Sequence, residues 1–159
     1  MSLKTATRIV QRDGAPEAQR LQADICVVGA GISGISAAVE AAHLGRKVVL
    51  VDGLPALGGQ AGNSLIGTFC GLFSNGPDPY QFTHGIADGI LRDLDAKGAL
   101  NYRWGGDRTT VMYDEVALSR WVEDAVREAG ITVILGAVLR HAGRNGRRVS
   151  ELEIATRYG

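Results

Sequence analysis

The 159-residue chain carries no excess charge of either sign: seventeen lysines and arginines stand against seventeen aspartates and glutamates. Without a net field there is nothing to draw a polyanion, so nucleic acid and anionic lipid are not expected partners. Cysteine is scarce, with Cys26 and Cys70 alone. Two thiols make no disulfide framework, which fits a reducing compartment and a cytoplasmic location. No stretch approaches the roughly 20 consecutive apolar residues of a membrane span. Residues 1–22 mix Lys4, Arg8, Arg12, Asp13 and Glu17 among apolar positions and lack the apolar core of a signal peptide. Internal repeats and low-complexity tracts are missing too. So are a nucleophile–base pair, paired carboxylates and metal-ligand spacing: no metal is expected, and no residue is assigned a catalytic role.

What is plentiful is glycine, 22 residues, about twice average usage and a mark of special backbone geometry or close approach to a ligand. Its arrangement is most telling in Asp24-Ile25-Cys26-Val27-Val28-Gly29-Ala30-Gly31-Ile32-Ser33-Gly34. The apolar run Ile25 to Val28 reads as a parallel strand covered on both faces, with Cys26 packed inside it. The alanine-rich run Ile35 to Leu44 reads as a helix. Between them lies Gly-x-Gly-x-x-Gly. Gly29 permits a tight turn, Gly31 has no side chain to hold phosphates away from the backbone, and Gly34 lets helix and strand lie close. Free N–H groups at the helix start would then face an anion. A second strand, Lys47 to Val51, ends at Asp52, about 20 residues beyond the turn, where an acid can accept from a ribose hydroxyl. A glycine-bearing turn in some other doubly wound protein, with Asp52 as a solvated strand end, is the plainer alternative.

Seven glycines follow between Gly53 and Gly76, at 53, 58, 59, 62, 67, 71 and 76, without a helical or strand period. A plain NAD-binding unit would continue into another regular helix and strand; an irregular backbone here suits a longer cofactor. Gly58-Gly59-Gln60 can bring bare N–H groups to a pyrophosphate from its other side, and Asn63 and Ser64 offer side-chain hydrogen bonds farther along. A surface linker is the alternative, although Leu65, Ile66, Phe69, Leu72 and Phe73 are unlike one.

Farther on, Phe82, Ile86, Ile90, Leu91 and Leu94 recur at helical spacing, predicting an amphipathic helix within Pro79 to Lys97 that stops at Gly98. Thr109 to Met112 is a short strand candidate. Asp114 is positioned to cap a helix running through Glu128 and ended by Gly130. Ile131 to Leu135 reads as a third parallel strand. A hairpin closes the sequence: Ala137 to Ala142, a turn around Asn145-Gly146, and Val149 to Tyr158. Cys70 reads as a buried small hydrophobe, with a place facing the cofactor as the alternative; Asn75 and His84 are candidates to reach a substrate, and His43 and His141 read as structural or solvent-exposed.

Taken together, Val28 to Gly34, Val51-Asp52, Leu57-Gly58-Gly59-Gln60 and Ala129 to Leu135 resemble the N-terminal part of the FAD-dependent oxidoreductases with a glutathione-reductase-like, two-dinucleotide-binding-domain fold. The resemblance implies an α/β, Rossmann-like FAD-binding domain over residues 23–159, a central parallel sheet plus a β-hairpin, preceded by an extended lead-in over residues 1–22. It implies FAD as cofactor, held through Gly29, Ala30, Gly31, Ile32, Ser33, Gly34, Asp52, Gly53, Gly58, Gly59, Gln60 and Ser64, with the backbone of Val138 offered to the adenine. Asp52 departs from the Glu of many relatives. A further core strand, the segment that binds the flavin end and a substrate domain follow the hairpin in that family and are missing here. The fold is therefore expected to be incomplete without a second polypeptide, which would complete the site for flavin and a small-molecule substrate. A dehydrogenase or oxidase subunit is the first reading. A non-catalytic electron-transfer or scaffold subunit, or an NAD-binding module, is the alternative.

Overall fold

A computed structural model describes residues 18–105 and 108–156. The lead-in, including the edge-strand candidate Arg8-Ile9-Val10, lies largely outside the described residues, as do the last three positions. Strand β1 (Ile25–Val28) leads into helix α1 (Ile32–His43), then β2 (Val48–Asp52), α2 (Gly59–Asn63) and β3 (Thr68–Cys70). Helix α3 (Ile86–Ala96), strands β4 (Leu100–Gly105) and β5 (Arg108–Tyr113), helix α4 (Glu115–Glu128) and strands β6 (Thr132–Leu135), β7 (Ala137–Asn145) and β8 (Arg148–Thr156) follow. Three sheets result: parallel β1-β2-β6, antiparallel β3-β5-β4, and the hairpin β7-β8.

β2 is the buried centre of the parallel sheet, and its unbroken apolar run reflects cover on both faces. Val48 and Leu50 point into a core with Ile35, Ala38 and Val39 of α1, Ile90 and Leu94 of α3, and Leu118, Val122 and Val126 of α4. Val49 and Val51 point the other way, against Ala137, Ile134 and Ile154. The hairpin that follows the third strand thus roofs the face of β2 opposite the helices.

β1 differs from its sequence reading. Among the described residues it pairs only with β2, in the register Cys26↔Val49 and Val28↔Val51. Val49 and Val51 are 7% and 1% exposed, while Val28 is 51% and Ile25 38% exposed. The roof over β2 does not extend to β1. Cys26 is accordingly exposed rather than packed, although partial burial still pushes its thiol pKa up.

The helices follow their sequence signals with adjusted ends. Asp114 caps α4, its carboxylate accepting from Ala117 N at 2.8 Å. α3 begins only at Ile86, because Gly85 has φ of 80° and Asp88 turns back to accept from the Gly85 amide at 2.9 Å. Trp121 of α4 donates its indole N–H to Asp93 of α3 at 2.9 Å, which holds the Asp93 carboxyl below its usual range. The segment from Gly53 to Gly76 holds more regular structure than its composition suggests: the short helix α2 and the strand β3 both lie within it.

Leu118 is fully buried, so Leu118→Ala is expected to cost about 2–5 kcal/mol of unfolding free energy in urea titrations. Asp114→Ala, which removes only the cap, is expected to cost about 1 kcal/mol. Equal losses from the two would contradict this division between core and cap.

Candidate functional site: a two-sided glycine cradle

The site forms where β1 and β2 end on the same side of the sheet. Gly29 turns the chain with φ of 110° and donates its amide to Val51 O at 2.7 Å, tying the turn to β2. Gly34 is in α1, and a Cβ there would lie 1.8 Å from Gly29 O. Any side chain at that position would push α1 off the turn. Gly31 serves another purpose: a Cβ there meets nothing within 4 Å. It is the N-cap of α1, no side chain caps the helix start, and no acidic residue lies in the first turn. The amides there remain available to an anion, whose charge the helix end favours.

The second glycine segment forms the facing wall. Gly58 adopts φ of 101° and donates to Ala30 O at 2.9 Å, and Gly31 and Gly58 form an isolated parallel bridge. Gly59 has φ of 53°, and a Cβ on it would lie 2.7 Å from the Gly31 Cα. Two backbone stretches, remote in sequence, thus touch without side chains between them.

Asp52, at the end of β2, uses both carboxylate oxygens within the site. Oδ2 accepts from Ala30 N and Oδ1 from Leu54 N, the latter at 2.7 Å. The carboxylate is a clasp on the first glycine turn as well as a ribose candidate, and its remaining lone pairs are still open to hydroxyl donors. Gly53 and Val138 belong to the same end of the sheet: Gly136 N donates to Leu54 O at 3.1 Å, and a Cβ on Gly53 would stand 3.7 Å from Ala137 O. Ser64 is the exposed C-cap of α2. The exposed side chain of Asn63 donates to Leu57 O at 3.1 Å.

Beside the cradle is a cavity of about 300 Å³ lined by Gly31, Ile32, Ser33, Gln60, Ala61, Ile66, Thr68, Phe69 and Tyr113. Ile32, Ser33 and Gln60 are therefore brought together as expected. Phe69 and Tyr113 are the residues that sequence reasoning missed as part of the site. Their rings stack at 4.2 Å between centroids, and Tyr113 donates its hydroxyl to Ala61 O at 2.8 Å. Thr109, Val111 and Tyr113 alternate as the buried positions of β5, which turns Tyr113 inward. Cys70, Asn75 and His84 do not line this cavity, and Cys70 is exposed rather than buried, at the end of the short strand β3. Asn75 instead accepts from Thr109 N at 3.2 Å, and His84 lies 3.3 Å from Asp88 on the surface.

The residues present fit a dinucleotide diphosphate: the space that a Gly31 side chain would fill is open, the amides behind it are uncapped, and an acid stands at the end of the second strand. Strand, glycine turn, helix, strand and acid define a dinucleotide-binding module of Rossmann type. The profile of the family described as FAD dependent oxidoreductase matches residues 24–159, and the chain belongs to that family, with FAD as its cofactor.

A probable oxidoreductase, OrdL, of Haemophilus influenzae is 42% identical over 65 residues, which are 41% of this chain and 15% of that protein. Among solved structures, THI4 of Thermovibrio ammonificans is similar at TM-score 0.52 and 25% identity, over 84% of this chain and 48% of that one. A geranylgeranyl bacteriochlorophyll reductase-like protein of Thermoplasma acidophilum shares the fold at TM-score 0.53 and 16% identity, over 86% and 36% of the two chains. The chain thus spans less than half the length of these similar proteins.

Gly31→Ala is expected to leave the thermal midpoint nearly unchanged while weakening FAD binding, read by flavin fluorescence, about tenfold or more, the equivalent of about 1.4 kcal/mol. Gly34→Ala should instead destabilise the fold itself. Unaltered FAD affinity in Gly31→Ala would contradict placement of the diphosphate at this turn.

Proposed function

We propose that the chain is the FAD-binding portion of a flavin-dependent oxidoreductase, a dehydrogenase or oxidase of a small organic substrate. In this reading residues 23–159 form the FAD-binding domain, and the chain grips the ADP part of the cofactor. The observation that carries the reading is the contact of the two glycine segments at Gly31 and Gly59, with Asp52 clasping the same turn. Backbone amides of Gly31, Ile32 and Ser33 would hold the diphosphate, Asp52 the ribose, Gly59 and Gln60 the far side of the diphosphate, and Val138 the adenine through its backbone. Gly53 and Ser64 would border the same path. FAD, when bound, supplies the hydride-accepting chemistry; this chain's residues orient it and exclude water from its diphosphate.

A second polypeptide would complete the flavin and substrate site. Two observations support this part of the proposal. Among the described residues β1 is paired on one edge alone and has an apolar face with Val28 half exposed, and an unpaired parallel edge next to a ligand crevice is a pairing surface. The interactions on the chain's own side are also modest. An anion at a helix start contributes about 0.3–2 kcal/mol and a hydrogen bond to a charged group about 1.5–3 kcal/mol, whereas micromolar binding needs about 8 kcal/mol. The chain alone would hold FAD weakly. The complex would be cytoplasmic; among the described residues no helix is long and apolar enough to cross a membrane.

The protein co-expressed with its genetic neighbours should purify as a complex with flavin absorbance that bleaches anaerobically on addition of the substrate. Flavin that no candidate substrate bleaches would favour an electron-transfer or scaffold role. A monomeric chain with tightly bound flavin would contradict the two-chain arrangement, and a complex without flavin would contradict the reading as a whole.

A further inference from the structure

We propose that Tyr113 is a positioning residue for the cofactor site, its hydroxyl tethering α2 so that Gly59 stays against Gly31; this rests on the FAD reading above. α2 has only five residues, Gly59–Asn63, far fewer than a helix needs to persist on its own contacts. Three of these are glycine or asparagine, which favour other conformations. Its last carbonyls have no partners within so short a helix. Two of them are satisfied from outside: Ala61 O by the Tyr113 hydroxyl at 2.8 Å, and Gly62 O by Ser119 of α4 at 3.4 Å. The Tyr113 bond is the better of the two in length.

Tyr113 is well placed to act as a fixed post. It ends β5, where its amide donates to Gly67 O at 2.9 Å. Its side chain is 6% exposed, within the main core, and its ring is stacked on Phe69. Burial, and secondarily the charge of Glu115, push the phenol pKa up, so at neutral pH the group remains an O–H donor. The tether spans 52 positions in sequence and links the antiparallel sheet to the segment that faces the glycine turn. Releasing Ala61 O frees the segment to shift, and the close approach of Gly59 to Gly31 leaves no slack for such a shift.

Tyr113→Phe keeps the ring and its stacking and removes only the hydroxyl. With the full chain, hydrogen exchange at the Gly58 and Gly62 amides, measured without FAD, is expected to speed up about three- to tenfold, and FAD affinity to fall by a similar factor. Val126→Ala, a buried truncation two turns farther along α4, serves as the control for general destabilisation. It should lower the thermal midpoint at least as much while leaving FAD affinity unchanged. Unchanged exchange in Tyr113→Phe would overturn the tether. Faster exchange with unchanged FAD affinity, or an equal loss of affinity in Val126→Ala, would overturn its role at the cofactor site. Faster exchange in Tyr113→Phe together with no FAD binding by the unaltered chain would leave the tether standing and refute the FAD reading instead.

Discussion

The contact between the backbones at Gly31 and Gly59 is the constraint on which the rest of the structure depends. A methyl group on Gly59 would sit 2.7 Å from the Gly31 Cα, so the two segments meet only because Gly59 carries no side chain at that point. Their approach gives the glycine turn a second wall. A helix start alone is a weak and common anion site; one enclosed by a second backbone segment with its own amides is specific in shape. Around this contact the fold supplies fixed supports: Gly29 tied to β2, Gly58 to Ala30, Asp52 to Ala30, and α2 to β5 through Tyr113.

The same geometry explains why the parallel sheet is uneven. β2 is sandwiched between the helices and the β7-β8 hairpin and is buried on both faces. β1, which feeds the cradle, is paired on one side among the described residues and has a half-exposed apolar face. Ligand crevices in open α/β sheets lie at a point where strands depart to both sides, and the described residues form one side of such a crevice. The match to 15–48% of the length of the similar proteins accords with a module that supplies one wall of a larger site.

Much of the cradle was legible in the sequence because its logic is local. An apolar strand, three glycines at fixed spacing, a helix former and an acid at the next strand end each have a physical reason to stand where they do, and the structure keeps Gly29, Gly31, Gly34 and Asp52 in those relative positions. Asp114 was legible as a cap for the same reason. What the sequence hid was non-local. The exposure of Cys26 and Val28 depends on how far the hairpin roof reaches, which no property of β1 encodes. The start of α3 at Ile86 rather than near Pro79 was set by the backbone of Gly85 and the carboxylate of Asp88. β4 escaped notice because Leu100 to Gly105 has no alternating apolar pattern of its own and becomes a strand through pairing with β5. Tyr113 joined the site through a hydrogen bond to a residue 52 positions away, for which sequence patterning has no signature.

The central claim, that this backbone cradle receives the diphosphate of FAD, is tested most directly by amide chemical shifts in an isotopically labelled sample titrated with FAD and, separately, with riboflavin, which carries the same ring system without a diphosphate. FAD should move the amides of Gly31, Ile32, Ser33 and Gly59, while riboflavin at equal concentration leaves them in place. Equal movement with both ligands, or shifts with FAD that spare these four amides, would contradict it.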